Sequence, residues 1–228
     1  IFTTIDTRIN RSSLEQNDMI ENEFWNMISL LELVLAHNKL EEPQSIHNIS
    51  YFTEQIYKEV QLNYPKLNIS DEEIENVSKL ATIHDIGKLF TPYEILNKKG
   101  KLTKDEMDII KKHPLNGANM ALKLPKCGKA SKLVQYAYNI CLYHHERYDG
   151  QGYPKGLIGD EIPLCAQVVG LADAYDALIS ERPYKRKINH GEAVRMIVNG
   201  ECGSFSPKVI LSFIIASMNK TWIEKVSK

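Results

Sequence analysis

The stretch His144-His145-Glu146-Arg147-Tyr148-Asp149-Gly150-Gln151-Gly152-Tyr153-Pro154 is where one kind of chain gives way to another. Ahead of it, from Lys129, the apolar residues Leu133, Val134, Ala137, Ile140 and Cys141 recur at helical spacing and run up to the histidine pair. Behind it, glycine and proline are too frequent for a helix to continue. Two imidazoles and two carboxylates therefore sit where a rigid helix meets a loop that can fold over whatever they hold. Imidazole and carboxylate are the usual ligands of a borderline or hard divalent metal. Taken alone, a His-His pair reads equally well as two partly exposed histidines at a helix end, so its meaning rests on the rest of the chain.

Working outward, helices flank this stretch on both sides. Upstream, Ile20, Phe24, Met27, Ile28, Leu31, Val34 and Leu35 mark a helix from Asp18 to His37. The polar, weakly patterned residues Ile1 to Asn17 read as a linker or domain edge. Pro43 interrupts the pattern. Ile46, Ile49, Phe52, Ile56 and Val60 mark a second helix, with His47 in its first turn and an end near Pro65. Ser70 with Glu73, and Thr103 with Glu106, are capping-box pairs. The first opens a helix that delivers His84-Asp85. The second opens one that ends at His113-Pro114. Downstream, Pro163 starts an almost continuous apolar run suited to a buried helix, which makes Asp173 and Asp176 within it conspicuous. Asn189 with Glu192, and Ser206-Pro207, open the last two helices. No strand alternation, fixed-period repeat or low-complexity tract is present. The expected fold is all-α, a bundle of seven to nine helices.

The bulk properties exclude several function classes. With 28 basic and 29 acidic residues the net charge is -1, so no global field draws nucleic-acid polymers or anionic lipid. An anionic substrate must be caught by a local cluster. Cys127, Cys141, Cys165 and Cys202 lack metal-type spacing and suggest reduced thiols and a cytoplasmic setting. No apolar run approaches the ~20 residues of a membrane span. The chain starts at Ile1, as expected of a piece of a longer protein. Its first 42 residues read as a linker plus a helix that pairs with a second copy or joins an upstream sensory or receiver domain; residues 43–228 read as the functional domain.

Five of the 7 histidines, His47, His84, His113, His144 and His145, fall at or beside helix ends. Adjacent helical residues point about 100° apart, so neighbours can serve different ions. An aspartate among apolar neighbours is costly unless paired or metal-bound. The residues divide into His47, His84, Asp85 and Asp173 for one metal, and Asp85, His113, His144 and His145 for a second, with Asp85 shared. Two-metal sites of this kind activate a water and clamp a phosphoryl oxygen for in-line displacement. His37 and His190 match no such pattern and read as solvated surface residues. Asp176 reads as a hydrogen-bonding partner of a ligand or a helix end. Glu146 and Asp149 read as loop-shaping. The lysine run Lys98, Lys99 and Lys101 reads as a solvated face.

These motifs carry a family resemblance. His84-Asp85-Ile86-Gly87-Lys88 resembles the signature of HD-domain metal-dependent phosphohydrolases. His144-His145-Glu146 with Asp149-Gly150-Gln151-Gly152-Tyr153-Pro154 is similar to the signature of the HD-GYP subfamily. Lys112-His113-Pro114, the run Leu171 to Leu178, and Arg182-Pro183-Tyr184-Lys185 extend the likeness over roughly residues 45–218. The resemblance implies an HD-domain helical bundle with an HD-GYP C-terminal extension. It implies iron or manganese in a bi- or trinuclear cluster, and cleavage of cyclic di-GMP to linear pGpG and often on to GMP. It makes His47, His84, Asp85, His113, His144, His145 and Asp173 metal ligands, with Asp85 bridging. Asp85 and Lys88 are then the catalytic pair, and Lys88 acts on the scissile phosphate. Arg182 and Lys185 grip substrate phosphate, while Gly152 and Tyr153 line the pocket. Trinuclear members carry a glutamate one turn before the first histidine. That position here is Pro43, with Glu41 and Glu42 out of register, so two metals are expected. Phe205-Ser206-Pro207 stands where the family usually has an acid before the proline; Ser206 is expected to cap the helix instead. The alternatives are a phosphodiesterase for another cyclic dinucleotide, such as cyclic GMP-AMP, and a catalytically silent binding module.

Overall fold

The computed structural model describes residues 2–126, 128–180 and 187–226, with the side chains of 2–14 and 226 left aside. Arg182 and Lys185 lie outside the described residues. The regular structure of the described residues is all helical, with no strand; a lone antiparallel bridge joins Asp149 to Ile158. In order the α-helices are α1 (Phe2–His37), α2 (Pro43–Asn63), α3 (Asp71–Leu80), α4 (Tyr93–Leu96), α5 (Lys104–Ile110), α6 (His113–Ala121), α7 (Ala130–Tyr143), α8 (Leu164–Ile179), α9 (His190–Val198), α10 (Pro207–Ser217) and α11 (Lys220–Val226). The count exceeds the seven to nine expected because α4 is a single turn and α11 is short. Neither has enough residues to show a period in sequence.

Several helix ends follow from the local chemistry. Ser70 accepts from the Glu73 amide and opens α3, whose first turn carries Asp71, Glu72 and Glu73 against the helix dipole. Thr103 and Glu106 form the full capping box of α5. Asn189 accepts from the Glu192 amide to open α9. Pro43 and Pro207 sit in the first turns of α2 and α10, where a missing amide costs nothing. Ser206 makes no capping bond, contrary to the expectation for it; the prolyl φ alone starts α10. The polar stretch read as a linker is helical from Phe2. Helical conformation there needs no apolar stripe, because α1 is seeded by the part that packs.

That part of α1 buries Phe24, Ile28 and Leu35 in the common core and exposes Met19, Met27, Leu30 and Leu33 on its outer face. The core's densest portion is aromatic. Trp222 from α11 is fully buried, with its ring centroid 4.6 Å from Phe52 and 5.3 Å from Tyr175. Its indole N–H donates to the Tyr175 hydroxyl at 3.0 Å. That hydroxyl is 2.8 Å from His190 Nδ1, so His190 is a half-buried partner of the core rather than the solvated residue it seemed in sequence.

α8 is the axis of the bundle, and most of its residues are buried. Asp176, 1% exposed, accepts hydrogen bonds from Ser45 and from Asn48 Nδ2 (2.9 Å) in the first turns of α2, and from Ser180 (3.1 Å). One buried carboxylate thus sets the start of α2 against α8. Removing it leaves donors unpaired, at about 1.5–3 kcal/mol for bonds to a charged group. We expect Asp176→Ala to lower unfolding free energy by about that amount in denaturant titrations. A loss below about 0.5 kcal/mol would contradict this tie.

Candidate metal centre

The site is assembled by chain segments that leave helices. After α3 a short 3-10 turn (Ala81–Ile83) hands on to His84 and Asp85, and a second (Ile86–Phe90) carries Lys88. His113 begins α6, and His144 caps the end of α7. Asp173 faces them from α8. A side chain at Gly87 could not fit: its Cβ would fall 1.9 Å from the His113 carbonyl oxygen. This close approach lets the His84–Lys88 segment meet His113.

In the imidazoles of His84, His113 and His144, Nδ1 lies against a helix carbonyl: Ala81 at 2.9 Å, Ile110 at 2.8 Å, and Ile140 at 3.0 Å with Cys141 at 3.1 Å. A carbonyl only accepts, so each Nδ1 carries the proton and each Nε2 presents a lone pair when the ring is neutral. The Nε2 atoms of His113 and His144 face each other at 3.4 Å. Two lone pairs that close repel unless a cation lies among them. Asp85 Oδ1 is 2.9 Å from His113 Nε2 and 3.7 Å from His144 Nε2, while Oδ2 is 3.2 Å from His84 Nε2 and also meets Lys88 Nζ. One oxygen faces each side of the cluster. His84 Nε2 and Asp85 Oδ1 are buried without a hydrogen bond of proper geometry. Buried orphan donors of this chemistry fit a divalent metal.

The structure brings Asp85, His113, His144 and His145 together, with ligand atoms within 4.8 Å of one another, close enough to hold one ion. The other group is Glu41, His84 and Asp85. Asp173 stands next to it, its Oδ1 3.8 Å from His84 Nε2. His47 is exposed in the first turn of α2 and belongs to neither group. Glu41 was set aside by register, but register holds only within a helix. Pro43 starts α2 and Glu42 is extended, so Glu41 sits on a turn that brings its carboxylate 2.9 Å from Lys88 Nζ.

Electrostatics divides the histidines. Burial resists protonation of His84, but Asp85, Asp173 and Glu41 outweigh it and raise its pKa to about 9. Burial lowers His144, and burial with the neighbouring His144 holds His145 well below its usual value. Burial alone would raise Asp85, yet Lys88, His84 and His113 keep it ionised far below the carboxylate range. Burial works against the Lys88 ammonium too, but Asp85 and Glu41 push its pKa upward. Burial raises Glu41, with Lys88 opposing.

The loop after the histidines closes on this cluster. Glu146 accepts from the amides of Lys155 (2.7 Å) and Leu157 (3.0 Å), so it shapes the loop, as expected. At Gly152 a Cβ would lie 2.3 Å from the Arg147 nitrogen, so only glycine lets the loop fold back here. Its neighbour Tyr153 stacks on His145, with ring centroids 4.6 Å apart at 25°. Sequence reasoning had no signal for Lys111, whose ammonium lies 5.3 Å from the centre of the Tyr153 ring. Lys98 donates to the Glu106 carboxylate at 2.6 Å.

A helical bundle with buried histidines and an aspartate converging in this way is a protein whose side chains could hold divalent metal. The chain belongs to the HD domain family, whose sequence profile matches residues 32–209. It is 44% identical over 152 residues to a "Probable cyclic di-GMP phosphodiesterase" of Vibrio cholerae, covering 66% of this chain and 34% of that protein. It is 37% identical over 128 residues to "3'3'-cGAMP-specific phosphodiesterase 1" of the same organism, covering 56% of this chain and 28% of that one. The chain thus spans about a third of the length of these curated relatives. Among solved structures it resembles "Bd1817, a HDG"Y"P protein from Bdellovibrio bacteriovorus", with a TM-score of 0.51 and 24% identity over 72% of this chain and 51% of that chain. This last likeness bears on the fold. No described helix is long and apolar enough to cross a membrane.

A proton-linked metal affinity follows. With a pKa of about 9, His84 is protonated near neutrality, and a metal must displace that proton. Apparent affinity should rise about tenfold per pH unit from pH 7 and level off above about pH 9. Calorimetric titration of metal-stripped protein in buffers of different ionisation enthalpy should count about one proton released at this site. No proton release would contradict the assignment.

Proposed function

We propose that this chain hydrolyses cyclic di-GMP to linear pGpG at a centre of two divalent ions, with iron or manganese favoured because the donors are imidazole and carboxylate without thiolate. The observation that carries the reading is the pair of Nε2 lone pairs of His113 and His144, 3.4 Å apart and beside the ionised Asp85. His113, His144 and His145 would hold one ion, and His84, Glu41 and Asp173 the other, with Asp85 shared between them. His47 stays a candidate ligand on the sequence argument. When bound, such ions lower the pKa of a water and neutralise phosphoryl oxygens.

The chain's own residues supply the rest. Lys88 is held between Asp85 and Glu41 with a raised pKa, so it keeps its charge at neutral pH. That suits a donor of hydrogen bonds to a phosphoryl oxygen better than a group that gives up a proton each cycle. Tyr153 covers His145 and narrows access of water to that side. Gly152 holds the loop close enough for this. Arg182 and Lys185 are proposed as a further grip on phosphate at the rim. The similarity to a relative named for cyclic di-GMP over 66% of this chain supports this substrate. The relative named for 3'3'-cGAMP supports cyclic GMP-AMP as the competing one. The outer face of α1 is the surface proposed to meet a second copy or an upstream domain.

The test is hydrolysis by iron- or manganese-loaded protein, followed by chromatography of the products, on cyclic di-GMP and cyclic GMP-AMP in parallel. Asp85→Ala removes the shared carboxylate. It should cut kcat/KM on the order of a thousandfold or more, since metal stabilisation is worth several kcal/mol. Near-normal turnover in Asp85→Ala would overturn the shared-ligand reading, and faster turnover of cyclic GMP-AMP would reassign the substrate.

A further inference from the structure

We propose that Lys111 is a substrate-binding residue that takes the second, non-scissile phosphate of the cyclic dinucleotide. This rests on the reading of the site as a cyclic-dinucleotide phosphodiesterase. A cyclic dinucleotide carries two phosphodiesters, each with one negative charge, joined through two sugars in one ring. Only one of them can sit on the metals. The other needs a cation near the mouth, and a chain of net charge -1 offers no general field to supply it.

Two described cations beside the cluster are engaged within the protein, and Arg182 and Lys185, proposed above for phosphate at the rim, lie outside the described residues. Lys88 is bonded to Asp85 and Glu41 inside the centre. Arg147 donates to the carbonyls of His144 (3.1 Å) and Glu146 (2.9 Å), and its guanidinium lies 4.8 Å from the Phe205 ring. Lys111 differs. It is exposed at the C-terminal end of α5, two residues before His113. Its ammonium rests over the Tyr153 ring, which itself lies on the ligand imidazole of His145. The cation therefore stands one cation–π contact and one ring stack out from the His145 imidazole. An ammonium over a ring retains N–H donors for an anion, and an exposed cation–π contact is weak enough to be given up. The stack works as a parking place. It keeps the lysine on the His145 side of the cluster without neutralising it, whereas an acidic partner would hold it more firmly and compete with phosphate.

The experiment compares wild-type, Lys111→Met and Lys111→Arg proteins, all metal-loaded, on cyclic di-GMP and on bis(p-nitrophenyl) phosphate, which has a single phosphate. Methionine keeps most of the apolar stem over Tyr153 and loses the charge. For Lys111→Met, KM for cyclic di-GMP should rise about tenfold with kcat little changed, while hydrolysis of the one-phosphate ester stays at wild-type level. Lys111→Arg should restore most of the loss. Calorimetric Kd values for cyclic di-GMP on the same preparations read binding apart from turnover. Unchanged KM and Kd in Lys111→Met, or equal loss on both esters, would overturn the proposal. Wild-type protein that binds cyclic di-GMP without cleaving it would sink the catalytic reading and leave the Kd comparison to decide on Lys111. Wild-type protein that does not bind it would sink both.

Discussion

The site depends on one repeated interaction, an imidazole Nδ1–H donated to a carbonyl at the end of a helical segment. Helix ends leave carbonyls without intrahelical partners. His84 uses Ala81, His113 uses Ile110, and His144 uses Ile140 and Cys141. Each bond places a ring N–H on a carbonyl near a helix end, in addition to the backbone amide that the Ala81 and Ile140 carbonyls already accept, and so fixes the tautomer and turns Nε2 away from its own helix. The clustering of histidines at helix ends, visible in the sequence, thus has a physical cause. The helix terminus is the device that aims the ligand.

The bundle then brings the aimed atoms together, at a cost. Buried lone pairs and a buried carboxylate gain little from one another without positive charge. Lys88 offsets part of this by meeting both Asp85 and Glu41, and the high pKa of His84 reflects the same shortage of cation. Asp176 and the aromatic group around Trp222 stand apart from the converging His/Asp groups. They stiffen α2, α8 and α11, the frame against which the ligands are held. Stability and reactivity are thereby assigned to neighbouring carboxylates on one helix: Asp176 is satisfied by protein donors, whereas Asp173 is left facing His84.

Most of the helices, and the residues of the group formed by Asp85, His113, His144 and His145, were legible in the sequence. Apolar periodicity and capping pairs are local, and His113, His144, His145 and Asp85 sit in motifs short enough to read. What escaped depends on geometry between segments. Glu41 looked out of register because register was counted through Pro43, where the helix begins afresh. His47 is a candidate by its place near the start of α2 and by the family motif, and the structure shows it exposed and outside both groups of converging side chains. His190 resembled a surface residue because its partner, Tyr175, lies fifteen positions away on another helix. Lys111 gave no signal at all, since a lysine beside a lysine is ordinary until a ring is found beneath one of them.

Metal content tests the central claim most directly, because the proposal places the inward lone pairs and Asp85 around cations. Protein purified without oxygen, loaded with iron or manganese and desalted, should carry two ions per chain by elemental analysis. X-ray absorption should show nitrogen and oxygen neighbours without sulfur. A folded, active chain holding one ion or none would contradict the account.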